Sequence, residues 1–282
     1  MADMQGLVLA AAVLAGLVVG SFLNVVIHRL PRMLERRWAE EEALQAGRPA
    51  APCPAYNLAR PRSACPHCGH PLAAWENLPV LSWVLLRGRC SACRSRISAR
   101  YPLIELATGA VFGYAAWRWG LTPAAAAWAG LGATLLALAA IDWDTTLLPD
   151  DLTLPLLWAG FVASLLGLSG TALADAVWGA VAGYLSLWCV HQGFLRLTGR
   201  EGMGYGDFKL FAALGAWLGW QALIPVILLA SITGAVVGIT MKFTGNLREG
   251  GYVPFGPFLA LGGAAALAGF TPWFWQALGL AR

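Results

Sequence analysis

The chain has 282 residues, of which 58% are hydrophobic and only 12% charged, against about a quarter charged in a soluble domain. A soluble globule of this make-up would expose wide apolar patches, so the composition excludes a cytosolic protein and points to a polytopic membrane protein. Of the net +4, residues 29 to 100 carry +7 and the rest −3, with 12 of the 19 Lys and Arg inside that segment; positive charge beside a span is an ordinary cytoplasmic signature, and nucleic acid is not an expected partner.

Residues 6 to 27 are apolar and long enough to cross a bilayer, which takes about 20 residues. Asp3 precedes the run, and His28, Arg29 and Arg32 follow it. A cleaved signal peptide has the opposite charge order, so residues 1–28 read as a retained first span with the N-terminus outside.

Residues 29–101 are a different material, rich in arginine and proline, with Glu40, Glu41 and Glu42 together and four clustered cysteines. They read as a cytoplasmic insert. Arg36 to Gln45 has the composition of a short surface helix, and Leu78 to Leu86 is apolar enough to touch the membrane or a small core. Cys65 and Cys68 form one C-x-x-C pair, Cys90 and Cys93 a second, 21 residues apart. Each pair can grip one metal from a tight turn, and two pairs complete a tetrahedral thiolate site that leaves no open position for catalysis. One structural zinc ion is therefore expected. A disulfide or redox pair and four free core thiols are the alternatives, with His67 or His70 as a possible replacement ligand. Cys53 and Cys189 have no partner pattern.

From Pro102 to the C-terminus apolar segments dominate, with spans expected at about 102–119, 123–141, 152–168, 172–197, 207–220, 221–242 and 254–278. Residues 102–282 thus read as a seven-helix membrane domain, and the whole chain as an all-α protein of about eight transmembrane helices with a small zinc-binding insert after the first. Eight spans put residues 28–101, 142–151, 198–206 and 243–253 in the cytoplasm. Arg196, Arg200, Lys209, Lys242 and Arg248 then lie in or beside cytoplasmic connections, and only Arg118 and Arg282 fall elsewhere, as the positive-inside bias requires. Gly109/Gly113, Gly179/Gly183, Gly215/Gly219 and Gly234/Gly238 have the small-xxx-small spacing that lets helices approach in lipid.

Two acidic places share the cytoplasmic face. Asp142 ends one apolar run, with Asp144, Asp150 and Asp151 close behind. Asp207 opens another after Gly204-Tyr205-Gly206. Asp150 and Asp151 follow Pro149 and read as helix N-caps, and Asp144 as a solvated carboxylate. Asp142 is the most deeply placed. Three glycines in the five residues before Asp207 exceed what a cap needs, but suit close approach of a substrate backbone. Two carboxylates brought together share one proton, so one can act as base toward water and the other as acid. That is aspartic-peptidase chemistry. The sequence has no H-E-x-x-H, G-x-S-x-G or P-loop motif. Glu105 reads as a helix-dipole partner, Asp175 and His191 as packing or pairing residues, and Pro254-Phe255-Gly256-Pro257 as a helix break at the same face.

These residues resemble a known family, the bacterial type IV prepilin peptidases. The resemblance covers nearly the whole chain. It rests on Gly20-Ser21-Phe22-Leu23-Asn24 running to Pro31, the paired C-x-x-C motifs, Trp75-Glu76-Asn77, Arg100-Tyr101-Pro102 with Glu105, Ile141-Asp142 with Leu148-Pro149-Asp150, Gly204-Tyr205-Gly206-Asp207-Phe208-Lys209, and Pro254-Phe255-Gly256-Pro257. It implies an inner-membrane enzyme that cuts the basic leader from prepilins and pseudopilins after a glycine at the cytoplasmic face, with Asp142 and Asp207 catalytic. It also implies N-methylation of the new N-terminal residue from S-adenosylmethionine, with Gly88 at a position linked to that activity. No glycine-rich nucleotide motif independently marks a methyl-donor site. Membrane lipid is the other expected partner, and nothing specifies an oligomeric state. The rival classes are a transporter whose carboxylates carry protons or cations and a non-catalytic assembly factor.

Overall fold

The computed structural model describes residues 2–48, 55–245 and 253–280. Cys53 and Arg248 lie outside them. Among the described residues every regular element is helical, and the only strand-like pairings are two isolated bridges, Ala64 with Pro71 and Arg89 with Arg96. The chain divides into two compact units, Met1–Ala133 and Thr134–Arg282.

The first unit is built on α1 (Ala2–Gln45), a single helix of 44 residues. At 1.5 Å per residue it is roughly 66 Å long, about twice the hydrocarbon thickness. The short surface helix expected at Arg36–Gln45 is the end of this rod instead. Leu34 to Leu44 is rich in Leu, Glu, Arg and Ala, good helix formers that carry the helix on past Pro31. The insert holds a 3₁₀ turn, Ala74–Asn77, and the short α2 (Leu81–Leu85).

Helix α3 (Arg100–Trp119) packs along α1. The contact uses Gly16 and Gly20 of α1: a methyl on Gly16 would lie 2.7 Å from the Thr108 carbonyl oxygen, and one on Gly20 2.6 Å from Glu105 Cα. That pair has small-xxx-small spacing too, but the sequence reading had not singled it out. Helix α4 (Pro123–Thr145) starts where Thr122 Oγ1 accepts the Ala125 N–H at 3.3 Å, a serine/threonine cap followed by proline in the first turn. It runs on into the second unit.

There α5 (Asp150–Leu165), α6 (Leu173–Thr198), α7 (Tyr205–Leu218), α8 (Leu223–Phe243), α9 (Gly256–Leu267) and α10 (Phe270–Ala277) follow. Helix α7 packs against α5, α6, α8 and α9, and Asp207 and Phe208 with Leu210 through Trp217 are all buried. An apolar helix without a polar face belongs in such a place. Gly179 of α6 and Gly215 of α7 touch backbone to backbone, and a methyl on either would collide with the other's carbonyl. Helix α8 instead shows an exposed stripe, Ile224, Leu228, Ile232, Val236 and Ile239, as a lipid-facing helix does.

Helices stand at all eight places where spans were expected. By length and apolar composition, four segments suffice to cross a membrane: α1, α4, α6 and Trp220–Phe243. The pair α9 and α10, bent by 81°, would make a fifth if read as one span. Helix α3 has 20 residues and falls short in apolar composition, carrying Arg100, Glu105 and Arg118; for the other two the shortfall is a matter of length. Helices α5 and α7 have 16 and 14 residues, roughly 24 and 21 Å against a core of about 30 Å.

Candidate active site and metal centre

Asp142 sits near the C-terminal end of α4 and Asp207 in the first turn of α7, and both carboxylates are buried. The two are close enough for the charge of Asp142 to act on Asp207. The Gly256 N–H, at the start of α9, donates to Asp142 Oδ2 at 2.9 Å, and the Asp207 N–H donates to the Gly204 carbonyl at 3.2 Å. Asp207 Oδ1 is buried with no hydrogen-bond partner. A buried acceptor left open in this way is costly unless a water or substrate completes it.

The glycines around the pair answer to one side chain, Leu148. A methyl on Gly206 would lie 2.6 Å from Leu148 Cβ; one on Gly256 would lie 3.1 Å from Leu148 Cδ2 and 2.7 Å from Asp142 Oδ2. Leu148 thus occupies the space beside both first turns, and bare backbone is required against it. The segment Pro254–Pro257, a weak signal in the sequence, borders the pair through that Gly256 amide.

The other acids are placed apart from the pair. Asp144 is exposed. Asp150 and Asp151 were expected to cap α5, but the cap position is Pro149 and no side-chain cap bond forms. Asp150 accepts from Lys209 Nζ instead, 2.7 Å to each oxygen, which fastens α5 to α7 two residues beyond Asp207. Both partners had been visible, but their pairing across 59 residues carries no local signature. Asp175 accepts from Trp220 Nε1 at 3.0 Å, a pairing role as expected. His191 is buried against the rings of Tyr205 and Phe208. Glu105 is not a dipole partner: its Oε2 accepts the Val80 N–H at 2.7 Å, and Ser21 also bonds to it.

In the insert, Cys65, Cys68, Cys90 and Cys93 bring their sulfurs within 4.8 Å of one another, with Cys65 and Cys93 at 3.8 Å. A tetrahedral ion with metal–sulfur bonds of 2.3 Å spaces its sulfurs by about 3.8 Å. The two pairs repeat one turn. The Cys65 N–H bonds to the His70 carbonyl and the Gly69 N–H returns to Cys65; the Cys90 N–H bonds to Ser95 and the Arg94 N–H returns to Cys90. Gly69 and Arg94 both take positive φ, at 72° and 61°.

Backbone N–H groups of Cys68 and His67 pull the Cys65 thiol down to about 6. The His70 amide also favours the Cys68 thiolate, yet burial and the neighbouring thiols push that thiol up to about 11. Four thiolates this close need a cation among them, and the donor set fits zinc. His70 is directed elsewhere, its Nε2 3.4 Å from Glu76 Oε2.

Gly88 lies in an open groove of about 600 Å³, a size that suits a small molecule, lined by Trp83, Arg87, Arg89, Arg96 and Ile97 among others. Its φ is +65°, and a methyl there would meet the Trp83 ring at 2.9 Å. Trp83 Nε1 donates to the Ile97 carbonyl at 3.2 Å, which holds the ring across the groove.

Two family profiles match. One, described as the bacterial peptidase A24 N-terminal domain, covers residues 14–119; the other, the type IV leader peptidase family, covers residues 129–239. Among curated proteins the chain is 57% identical over 272 residues to a prepilin leader peptidase/N-methyltransferase of Burkholderia pseudomallei, covering 95% of this chain and 88% of that one. It is 53% identical to the protein of the same name in Pseudomonas aeruginosa, covering 90% of this chain and 88% of that one. For that of Aeromonas hydrophila the figures are 52%, 93% and 91%. No solved structure matches.

Proposed function

The chain belongs to the type IV leader peptidase family, and from that membership we propose that it removes the leader of type IV prepilins and pseudopilins with Asp142 and Asp207. It is an aspartic peptidase with N-methyltransferase activity in an inner membrane. The observation that supports the site is the buried pair itself, with the Gly256 amide on Asp142 and Asp207 Oδ1 left open.

One carboxylate takes a proton from a water, and the water's oxygen attacks the scissile carbonyl. The other carboxyl, holding the shared proton, gives it to the carbonyl oxygen. Collapse of the tetrahedral intermediate then breaks the C–N bond, and the proton gained from water passes to the leaving amine. The cut follows a glycine at the cytoplasmic face, where the charge pattern also places the insert.

The four cysteines hold one structural zinc ion. The groove around Gly88 receives S-adenosylmethionine, its arginines suited to the donor's carboxylate and Trp83 to its base. When bound, that donor supplies the methyl group taken by the new N-terminal amine.

The test is incubation of the detergent-solubilised protein with a prepilin and S-adenosylmethionine, read by intact mass. The expected product lacks its leader and carries one added methyl. Leader loss alone would remove the methyl-transfer assignment. Asp142→Asn and Asp207→Asn should each lower cleavage by about 10²- to 10⁴-fold or more, with insertion unchanged. Full activity in either variant would overturn that residue's role.

A further inference from the structure

The insert carries an apolar face that nothing within its unit covers. Leu78, Leu81, Val84 and Leu85 are all about half exposed or more, Leu85 the most at 65%. In a water-soluble insert four such side chains within eight residues would be a liability.

Their depth can be read from the hydrogen bonds. The Val80 N–H donates to Glu105, and Glu105 lies against Gly20 of α1. Gly20 is inside the apolar run 6–27, about seven residues or roughly 10 Å short of its end. Asn24 Nδ2, a turn further along, donates to the Tyr101 carbonyl at 3.1 Å. The segment around Val80 is therefore held beside the last turns of the first span. Tyr101, Leu103 and Leu106, on the α3 turns flanking Glu105, are also exposed.

The charge pattern agrees. From Asn77 to Ile104 there is no acidic residue, while Arg87, Arg89, Arg94, Arg96 and Arg100 follow the apolar face. An apolar face followed by basic residues is the composition of an interfacial segment on an anionic leaflet.

We propose that Leu78, Leu81, Val84 and Leu85 are seated in the headgroup and upper acyl layer of the bilayer that α1 crosses, with Arg94 and Arg100, which lie outside the Gly88 groove, engaging anionic lipid. The insert is then a surface-bound element of fixed height, joined to the bilayer along α2 as well as at its two ends.

The test uses the full zinc-loaded chain in nanodiscs of equal parts phosphatidylcholine and phosphatidylglycerol. An environment-sensitive fluorescent amino acid replaces Leu85, in a second variant Val84, and in a control Leu44. Leu44 is 66% exposed but lies near the far end of α1. Lipids with a spin label near the headgroup should quench positions 85 and 84 several-fold more than aqueous iodide does, with the order reversed at position 44. Iodide reaching all three positions equally would overturn the proposal. Shielding from both quenchers would overturn it too, because a second copy or another part of the chain would then be the cover. Replacing phosphatidylglycerol by phosphatidylcholine should weaken the lipid quenching about two-fold. Unchanged quenching would refute the part assigned to the arginines.

Discussion

The Gly256 amide reaches the Asp142 carboxylate at a place where Gly256 itself has no room for a side chain. Gly256→Ala would set a methyl 2.7 Å from Asp142 Oδ2, and displacement of a reacting group by about 1 Å is enough to cost on the order of 10² in rate. The expected result is a loss of that size in prepilin cleavage, with membrane insertion and yield unchanged. Lys209 and Asp150 should behave differently. Their side chains are 28% and 52% exposed, so Lys209→Met should lower stability by less than about 1 kcal/mol, read as a small shift of the thermal midpoint in detergent.

Glu76 gives a pH signature outside the spans. Its hydrogen bond from Ser91, with the Ala73 N–H next, holds its carboxyl below the ordinary carboxylate range. A depressed folded value contributes stability above the unfolded value, and that stability is lost as pH falls through the folded one. Melting of the insert should therefore become easier in acid below the ordinary carboxylate range, and Glu76→Gln should flatten that dependence.

At the scale of elements, the closest packing is α6 against α7. Gly215→Val forces a branched side chain into the Gly179 carbonyl. Overpacking of this kind costs about 1 to 3 kcal/mol, so the variant should unfold at a clearly lower temperature than Gly234→Val, whose nearest neighbour is the side chain of Phe258 at 3.1 Å. A variant as stable as the parent would show that the two helices can separate freely.

Much of this was legible beforehand. Apolar runs marked the eight places where α1 and α3 to α10 stand, the C-x-x-C spacing placed the thiol cluster, and the small-xxx-small pattern marked Gly179 and Gly215. What escaped was long-range or continuous. The hydrogen bond from Gly256 to Asp142 crosses 114 residues, and the tie from Val80 to Glu105 joins a loop to a helix. The run of α1 through Pro31 depended on helix propensity winning over a single breaker. Length is the other difference: α7 is apolar and packed among α5, α6, α8 and α9, and its 14 residues are fewer than a lone span needs.

For the whole molecule the two compact units suggest two separable losses. Asp142 and Asp207, with Gly256 and Leu148 beside them, lie within residues 134–282, whereas the cysteines and Gly88 lie within residues 1–133. Stripping the metal with a chelator, or Cys90→Ser, should release about one zinc per chain, as expected for one tetrathiolate site. It should abolish methyl transfer while leaving most leader cleavage. Elemental analysis and intact mass check both parts. Equal loss of the two activities would mean that the insert also supports the peptidase.

The bare backbone around Leu148 also bears on how the enzyme could escape an inhibitor. Resistance commonly arises when a pocket wall gains bulk and crowds the drug out. Here Gly206 and Gly256 have no room to gain it, since even a methyl would meet Leu148 or Asp142. A compound that bears on Asp142 and Asp207 from the side of these two glycines would press against the part of the protein least able to mutate away from it.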